Sequence, residues 1–138
     1  MDDSVGKTYV CLSDSKEMLI GYYNITTGSL QVTDVSMKFK IGGTVHINAF
    51  AVDNRFHGKI PADAEIKYSD FLLNDCMSRI YALRKYVGFS FVTLSSTESG
   101  YNLYKRNGFE ELESDMAFSF EKAELGCTPM YFPLDSED

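Results

Sequence analysis

The sequence predicts a mixed α/β (α+β) fold, in which helices pack on a mostly antiparallel sheet that contains one parallel strand pair. Two short apolar segments, 7–12 and 18–25, flank a polar turn at 13–17, which is typical of an antiparallel hairpin. A long amphipathic helix then separates two further apolar segments, 44–52 and 89–94. A strand–helix–strand unit of this kind predicts a parallel pair with a right-handed crossover, placed beside the hairpin.

The connection between the hairpin and the central strand is less regular. Turn-forming residues at 26–29 predict the end of the hairpin. Apolar and polar residues alternate over 35–41, which indicates a half-exposed strand or arm, and Gly42-Gly43 predicts its end. The β-branched and apolar residues of 44–52 then predict the central strand, with a breaker at 53–54.

Two helices are predicted in the second half of the chain. Ser69 is the predicted N-cap of the first helix, and Gly88 its predicted left-handed C-cap. Its apolar face is formed by residues that recur every three or four positions, namely Leu72, Cys76, Ile80, Leu83 and Val87. A shorter helix is predicted over 101–106. Terminal strands are predicted over 109–112, 116–120 and 130–134.

Length and composition indicate a single domain over residues 1–138. A chain of 138 residues can bury a core without covalent staples. No apolar run approaches the roughly 18 residues of a membrane helix, and no apolar segment of a secretory signal follows the acidic N-terminus. Three cysteines without metal-ligand spacing predict reduced thiols and no metal site. We therefore expect a cytoplasmic protein that does not contact the membrane.

The net charge of −7 is concentrated at the C-terminal end. Residues 110–138 carry nine acidic side chains and one basic side chain, whereas the rest of the chain is close to neutral. Nucleic-acid binding needs clustered Lys and Arg side chains that neutralise phosphates. We therefore do not expect nucleic acid as a partner, and we interpret the acidic end as a solubilising surface.

Three segments carry a family resemblance. Residues 50–53 (FAVD) lead into 57–59 (HGK), the helix and strand of 72–94 follow, and 100–109 read GYNLYKRNGF. Together they resemble the GCN5-related N-acetyltransferase superfamily, in which a strand ending like L-A-V-D enters a Q/R-x-x-G-x-G/A loop and an A-x-x-F/L-Y-x-x-x-G-F segment follows. The segments LIGYYNITTGSL and LLNDCMSRIYAL are similar to the toxin-type acetyltransferases of bacterial toxin–antitoxin pairs.

The resemblance implies a splayed central pair of parallel strands and the transfer of an acetyl group from acetyl-CoA, as co-substrate, to an amine of a small molecule or protein. The implied cofactor-binding residues are Phe50, Ala51, Val52, His57, Gly58, Lys59, Ser95 and Ser96. Tyr104 matches the tyrosine that serves in the family as general acid toward the CoA sulfur. His46 on the central strand is the candidate general base, and a structural histidine is the alternative interpretation.

The phosphate loop departs from the family pattern. His57 replaces the usual Gln or Arg, Ile60 replaces the first motif glycine, and Pro61 removes one backbone N–H. The connection from this loop to the helix is also longer than usual. These departures leave open a catalytically inactive binding module with a degenerate CoA loop.

Two further alternatives concern the partners of the protein. The narrower similarity implies a toxin-type acetyltransferase that acts on aminoacyl-tRNA. The chain also begins near the second strand of the family, so we expect the N-terminal strand and helices to be truncated. A homodimer or a partner chain, contacting residues 127–134, could then complete the site for the amine acceptor.

Overall fold

The chain forms seven strands and two α-helices within the residues that the computed structural model describes, which are 6–13, 15–34, 37–61, 66–113, 116–118 and 126–134. In chain order they are β1 (Lys7–Leu12), β2 (Leu19–Asp34), β3 (Met37–Val52), α1 (Tyr68–Leu83), β4 (Phe91–Ser96), α2 (Tyr101–Arg106), β5 (Glu110–Glu111), β6 (Met116–Phe118) and β7 (Thr128–Pro133). A short 3₁₀ turn, Asn54–Phe56, follows β3.

One sheet contains all seven strands, and most of its pairs are antiparallel. The hairpin strands β1 and β2 pair in this way, and β2 pairs with β3 along nearly its whole length. The pair β3–β4 is parallel, and α1 connects its two strands. β7 pairs with β4, β5 with β7 and β6 with β2, all antiparallel. The predicted fold class is therefore confirmed.

β2 and β3 are longer than predicted, because two predicted breaks lie inside the strands. Residues 26–29 continue β2 instead of turning, since β3 supplies a backbone partner for each of them. Gly42-Gly43 likewise lie inside β3. A Cβ atom at Gly42 would lie 2.9 Å from the ring of Phe91, and one at Gly43 would lie 3.2 Å from the carbonyl oxygen of Gly88. These glycines permit a close approach of the segment leading into β4. From the sequence alone, such a glycine pair could not be distinguished from a turn.

A β-bulge accompanies the opening of the parallel pair. Beside this opening, the register between β2 and β3 skips Asn48 of β3. A bulge bends its strand, and the pairing of β3 with β4 stops next to it, where Ile47 lies opposite Leu94. β3 nevertheless continues to Val52 and β4 to Ser96, with no further pairs between these described residues. The two strands therefore separate at their carboxyl ends, as the splayed pair requires.

α1 differs from the prediction at both ends. Its N-cap is Lys67 rather than Ser69, and it ends at Leu83, so Val87 and Gly88 lie beyond it. A turn over 84–86 follows the helix and carries Val87 into solvent, where its side chain is 44% exposed. Gly88 is therefore not the C-cap. Within the described part of the chain, no helix combines the length and the apolar character needed to cross a membrane.

The later elements are of the predicted types, but several of them differ from the predicted bounds. α2 has the predicted bounds, whereas β4 lies two residues later than the predicted strand over 89–94. β5 keeps only two residues of 109–112, and β7 begins at Thr128 instead of residue 130. Residues 35–36 of the predicted arm and 119–120 of the predicted strand over 116–120 lie outside the described residues.

The core lies between α1 and one face of the sheet. The fully buried residues of α1 are Leu72, Leu73, Cys76 and Ile80. They belong to one cluster with the buried side chains of the facing strands, namely Tyr23, Ile25, Val45, Ile47, Val92, Leu94 and Met130. Alternation along β3 places Val45 and Ile47 on this face and His46 on the other.

A polar contact fastens α1 to β2 within this layer. The hydroxyl of Tyr23 donates to Oδ2 of Asp75 at 2.7 Å, and Nε of Arg79 donates to the same hydroxyl oxygen at 2.9 Å. The guanidinium of Arg79 also lies over the ring of Tyr9, 4.0 Å from its centroid. The buried phenol therefore has both of its hydrogen-bonding roles satisfied, which removes the cost of burying it.

A second polar contact joins the N-terminal turn of α1 to the C-terminal end of α2. Nε and Nη2 of Arg106 donate to the two carboxylate oxygens of Asp70 at 3.1 and 2.7 Å, and Nδ2 of Asn107 donates to Oδ1 at 3.0 Å. These hydrogen bonds, chiefly those from Arg106, lower the pKa of Asp70 below its usual value. The contact therefore links the two helices.

We expect Gly21→Ala to destabilise the protein by about 2 kcal/mol, because the added methyl group would overpack the layer between β2 and α1. A Cβ atom at Gly21 would lie 2.4 Å from the carbonyl oxygen of Ala51 and 2.8 Å from Leu72. Gly88→Ala is the matched control, since a Cβ atom there meets nothing within 4 Å. Urea unfolding of both variants measures the difference. Equal stabilities would contradict the described packing at Gly21.

We expect Asp70→Asn to lower the free energy of unfolding by about 1 kcal/mol at neutral pH. The folded pKa of Asp70 lies below the unfolded value of about 3.9. The stabilisation is therefore present above that value and is lost as the pH falls through the folded pKa. Urea unfolding at pH 7, 5 and 3 should show a difference that shrinks with acidity. A difference that does not depend on pH, or one also seen for the exposed control Glu98→Gln, would contradict this account.

Candidate functional site

An open cleft of about 530 Å³ lies where β3 and β4 separate. Its walls are the end of β3, the loop that follows it, the N-terminus of α1 and the segment from β4 into α2. The lining residues are Phe50, Ala51, Val52, His57, Gly58, Lys67, Ser69, Thr97, Ser99, Gly100, Asn102, Leu103, Tyr104 and Arg106. One strand, two helices and two loops thus meet at one concave surface.

The end of β3 presents backbone groups to this cleft. The N–H of Asp53 donates to the carbonyl oxygen of Ile20 at 2.8 Å, so it points toward β2. Because a trans peptide directs its C=O and N–H to opposite sides, the carbonyl of Val52 points into the gap beside β4. Residues two positions apart in a strand share their direction, so Phe50 also directs its N–H and C=O there. An extended ligand with amide groups could pair with these groups as an added strand does.

The N-terminus of α1 supplies the anion-binding side of the cleft. Helix geometry leaves the N–H groups of Ser69 and Asp70 without intrahelical partners. Lys67, the exposed N-cap residue, and Arg106 of α2 also line the cleft. Main-chain donors, the helix dipole and the Lys67 side chain favour a phosphate group at this position, whereas the charge of Arg106 is balanced by Asp70.

Tyr104 forms the floor of the cleft below the gap. Its ring lies edge-on between Phe50 and Phe109, with centroids 6.0 and 5.8 Å away, and its residue is 8% exposed. Burial raises the pKa of Tyr104 to about 12, so the phenol keeps its proton at neutral pH. Among the described residues, no group forms a hydrogen bond with its hydroxyl, so this O–H can serve a molecule in the cleft.

His46 lies away from the cleft, on the opposite face of the sheet from α1. Its Nδ1 is 2.7 Å from Oγ1 of Thr93 on β4, and the residue is buried. Burial lowers the pKa of His46 to about 4, so the imidazole is neutral at neutral pH. The structure therefore does not bring His46 and Tyr104 together in one cavity, and the base role of His46 stays a prediction.

The loop after β3 contributes part of the predicted phosphate motif. His57 and Gly58 line the cleft together with Phe50, Ala51 and Val52, whereas Lys59 does not. Gly58 has a φ angle of +73°, a conformation that glycine adopts without strain. Nε2 of His57 lies 2.6 Å from the carbonyl oxygen of Val52. Residues 62–65 of the long connection lie outside the described residues.

The β4 side of the cleft lies further along the chain than predicted. Ser95 and Ser96 belong to β4, where they pair with β7, and neither lines the cleft. Because β4 ends two residues later than predicted, the loop begins at Thr97 and its residues take the lining position. Sequence reasoning also did not place Ser69, Asn102 or Arg106 in the site.

One signal could have identified Ser69 and Asn102. The first turns of α1 and α2 both follow the carboxyl ends of parallel strands, where ligands of such sheets bind. Among the described residues, no cluster of three or more His, Cys, Asp or Glu side chains is arranged to hold a metal ion.

Comparison with solved structures identifies the fold, although no protein-family model matches the sequence. A bacterial toxin superimposes with a TM-score of 0.70 at 19% identity, over 92% of this chain and 66% of the toxin chain. The AtaTR complex bound with acetyl-CoA gives a TM-score of 0.70 at 16% identity, over 95% and 72% of the two chains. Tetrahymena GCN5 gives 0.63 at 12% identity, over 99% and 72%.

This chain spans about two thirds of the length of the bacterial toxin. Nearly all of this chain, 92 to 99% of its residues, is superimposed on each of the three proteins. The sequence identities are low, and the likeness concerns the path of the backbone. The chain has the fold of the GCN5-related N-acetyltransferases.

Proposed function

We propose that the protein is an acetyl-CoA-dependent N-acetyltransferase that acts on an amine of a small molecule or protein. The observation that carries this proposal is the cleft between β3 and β4. There, the backbone groups of Phe50 and Val52, the N-terminus of α1 and the Tyr104 hydroxyl meet in one cavity. The AtaTR structure of the same fold is bound with acetyl-CoA, which supports this cofactor as the co-substrate here.

The groups in the cleft fit the parts of acetyl-CoA. Phe50 and Val52 would pair with the amides of the pantetheine arm. The amides of Ser69 and Asp70, together with Lys67, would hold the phosphates. Acetyl-CoA supplies an activated acetyl group, whose transfer to an amine releases the CoA thiol. Backbone N–H groups at the end of β3 would polarise the thioester carbonyl.

Tyr104 is the proposed general acid. Its protonated hydroxyl would donate to the sulfur as the bond to the acetyl group breaks, which prevents the release of a bare thiolate. The attacking amine must lose a proton, and His46 is the proposed acceptor. Since the described His46 side chain does not line the cleft, the proton would have to reach it indirectly.

We expect Lys67→Glu to weaken acetyl-CoA binding about tenfold or more, because the charge reversal places a carboxylate beside the phosphates. Isothermal titration at low salt measures the effect, which should decrease with ionic strength. Lys85→Glu changes the net charge equally but lies beyond the far end of α1. It should therefore bind like the wild type. Equal losses in both variants would contradict a phosphate site at the N-terminus of α1.

We expect Tyr104→Phe to keep the affinity for acetyl-CoA and to lower kcat about 100-fold with a reactive amine. The substitution removes only the hydroxyl and preserves the ring packing against Phe50 and Phe109. Titration and single-turnover kinetics separate the two quantities. An unchanged kcat would exclude Tyr104 as the general acid. Failure of the wild-type protein to bind acetyl-CoA would instead support the non-catalytic binding module.

Aminoacyl-tRNA is a second candidate acceptor. The observation that favours it is the structure of AtaT, which shares this fold, complexed with acetyl-methionyl-tRNAfMet. The net charge of −7 opposes it, since tRNA binding favours a basic surface. Mass spectrometry of the products formed from charged tRNA and from peptide amines distinguishes the two acceptors. The same assay at two protein concentrations tests whether a second copy or a partner chain completes the acceptor site.

A further inference from the structure

The imidazole of His57 forms a hydrogen bond with a backbone carbonyl oxygen inside the candidate cleft. Its Nε2 is 2.6 Å from the carbonyl oxygen of Val52. A carbonyl oxygen can only accept, so Nε2 carries the hydrogen of this bond. His57 itself is exposed and lines the cleft. The contact is therefore a surface hydrogen bond that a ligand can reach.

The Val52 carbonyl is one of the groups that the opened strand pair leaves for a ligand. It points away from β2, because the adjoining N–H of Asp53 is bonded to Ile20. β4 does not reach it, since the described pairing of β3 with β4 ends at Ile47 and Leu94. An amide ligand lying in the gap would bond to this carbonyl as a neighbouring strand does. The imidazole of His57 already donates to this oxygen from the cleft side, from which such a ligand would also approach.

A tight turn delivers the imidazole to this place. The N–H of Phe56 donates to Asp53, that of His57 to Asn54 and that of Lys59 to Phe56, at 2.9, 3.2 and 3.1 Å. The carboxylate of Asp53 is engaged by Arg55, whose Nε lies 2.9 Å from Oδ1. The turn thus brings a side chain back onto the last residue of its own preceding strand. Because the backbone bonds do not involve the imidazole, the ring can leave Val52 without disrupting the turn.

We propose that His57 competes with the ligand for the Val52 carbonyl, so that binding of an amide-bearing ligand displaces the imidazole from it. This inference rests on the proposed acetyl-CoA site. Without a ligand, the imidazole donates to the Val52 carbonyl oxygen. When acetyl-CoA binds, an amide N–H of the pantetheine arm takes the place of the imidazole as the donor. His57 therefore lowers the affinity for ligands with an amide arm and leaves the affinity for the nucleotide part unchanged. In this way it acts as a determinant of ligand selection.

The test compares two ligands and three proteins by isothermal titration. Acetyl-CoA carries the amide arm, whereas adenosine 3′,5′-bisphosphate carries phosphates and no amide. His57→Ala should bind acetyl-CoA about three- to tenfold more tightly than the wild type, the range expected for one hydrogen bond. Its affinity for the bisphosphate should be unchanged. Asn54→Ala, an exposed change in the same turn, should match the wild type with both ligands.

A second measurement follows the imidazole itself. The chain contains two histidines, so ¹⁵N-histidine labelling gives two sets of ring signals. The His57 Nε2 signal should shift on addition of acetyl-CoA and stay in place with adenosine 3′,5′-bisphosphate. His46, bonded to Thr93 on the other face of the sheet, is the internal reference. His57→Ala assigns the signals.

The other outcomes separate this inference from the proposed function. If wild type binds acetyl-CoA and His57→Ala binds it equally well, the inference is overturned and the proposed function stands. Equal weakening of both ligands by His57→Ala would make His57 a direct phosphate contact, which also overturns it. If neither wild type nor His57→Ala binds acetyl-CoA, the proposed function fails and the inference fails with it.

Discussion

The cleft depends on one constraint, the loss of pairing between β3 and β4 after Ile47 and Leu94. If the parallel pair continued to the end of both strands, the N–H and C=O groups of Phe50 and Val52 would form hydrogen bonds with β4. The bulge at Asn48 bends β3 at this point, while β2 still holds its other edge up to Val52. The strands of the sheet therefore keep the gap open, and the loops are not needed to form it.

Because the gap uses main-chain groups, many side chains can change while the site is kept. The chain shares its fold with a bacterial toxin and with Tetrahymena GCN5 at identities of 19% and 12%. In the proposed acetyl-CoA site, Lys67 would supply charge at the N-terminus of α1 and Tyr104 an O–H group at the floor of the cleft. His57 is the exception, since its imidazole binds a main-chain acceptor that the sheet leaves unused. The role proposed for it rests on the turn that brings the loop back to the strand.

The sheet also separates groups that the sequence placed close together. His46 and Phe50 are four residues apart on one strand, yet only Phe50 lies beside Tyr104. Alternation and the intervening bulge put His46 on the other face, where burial keeps it uncharged. The core between α1 and the sheet contains a buried polar group. There Tyr23 is fully buried, and Asp75 and Arg79 satisfy its hydroxyl.

Local patterns in the sequence determined the hairpin, the order of strands and helices, the bounds of α2 and the positions of Tyr104 and of residues 50–52 at the end of a central strand. These features depend on side-chain periodicity and on short motifs, which act within a few residues. Only the tertiary structure decided that Gly42 and Gly43 lie inside a strand, that Ser95 and Ser96 are paired with β7, and that a bulge puts Phe50 on the opposite face from His46. Each of these outcomes depends on a partner distant in sequence, the ring of Phe91, the strand β7 and the bulge against β2, so no local pattern could specify it.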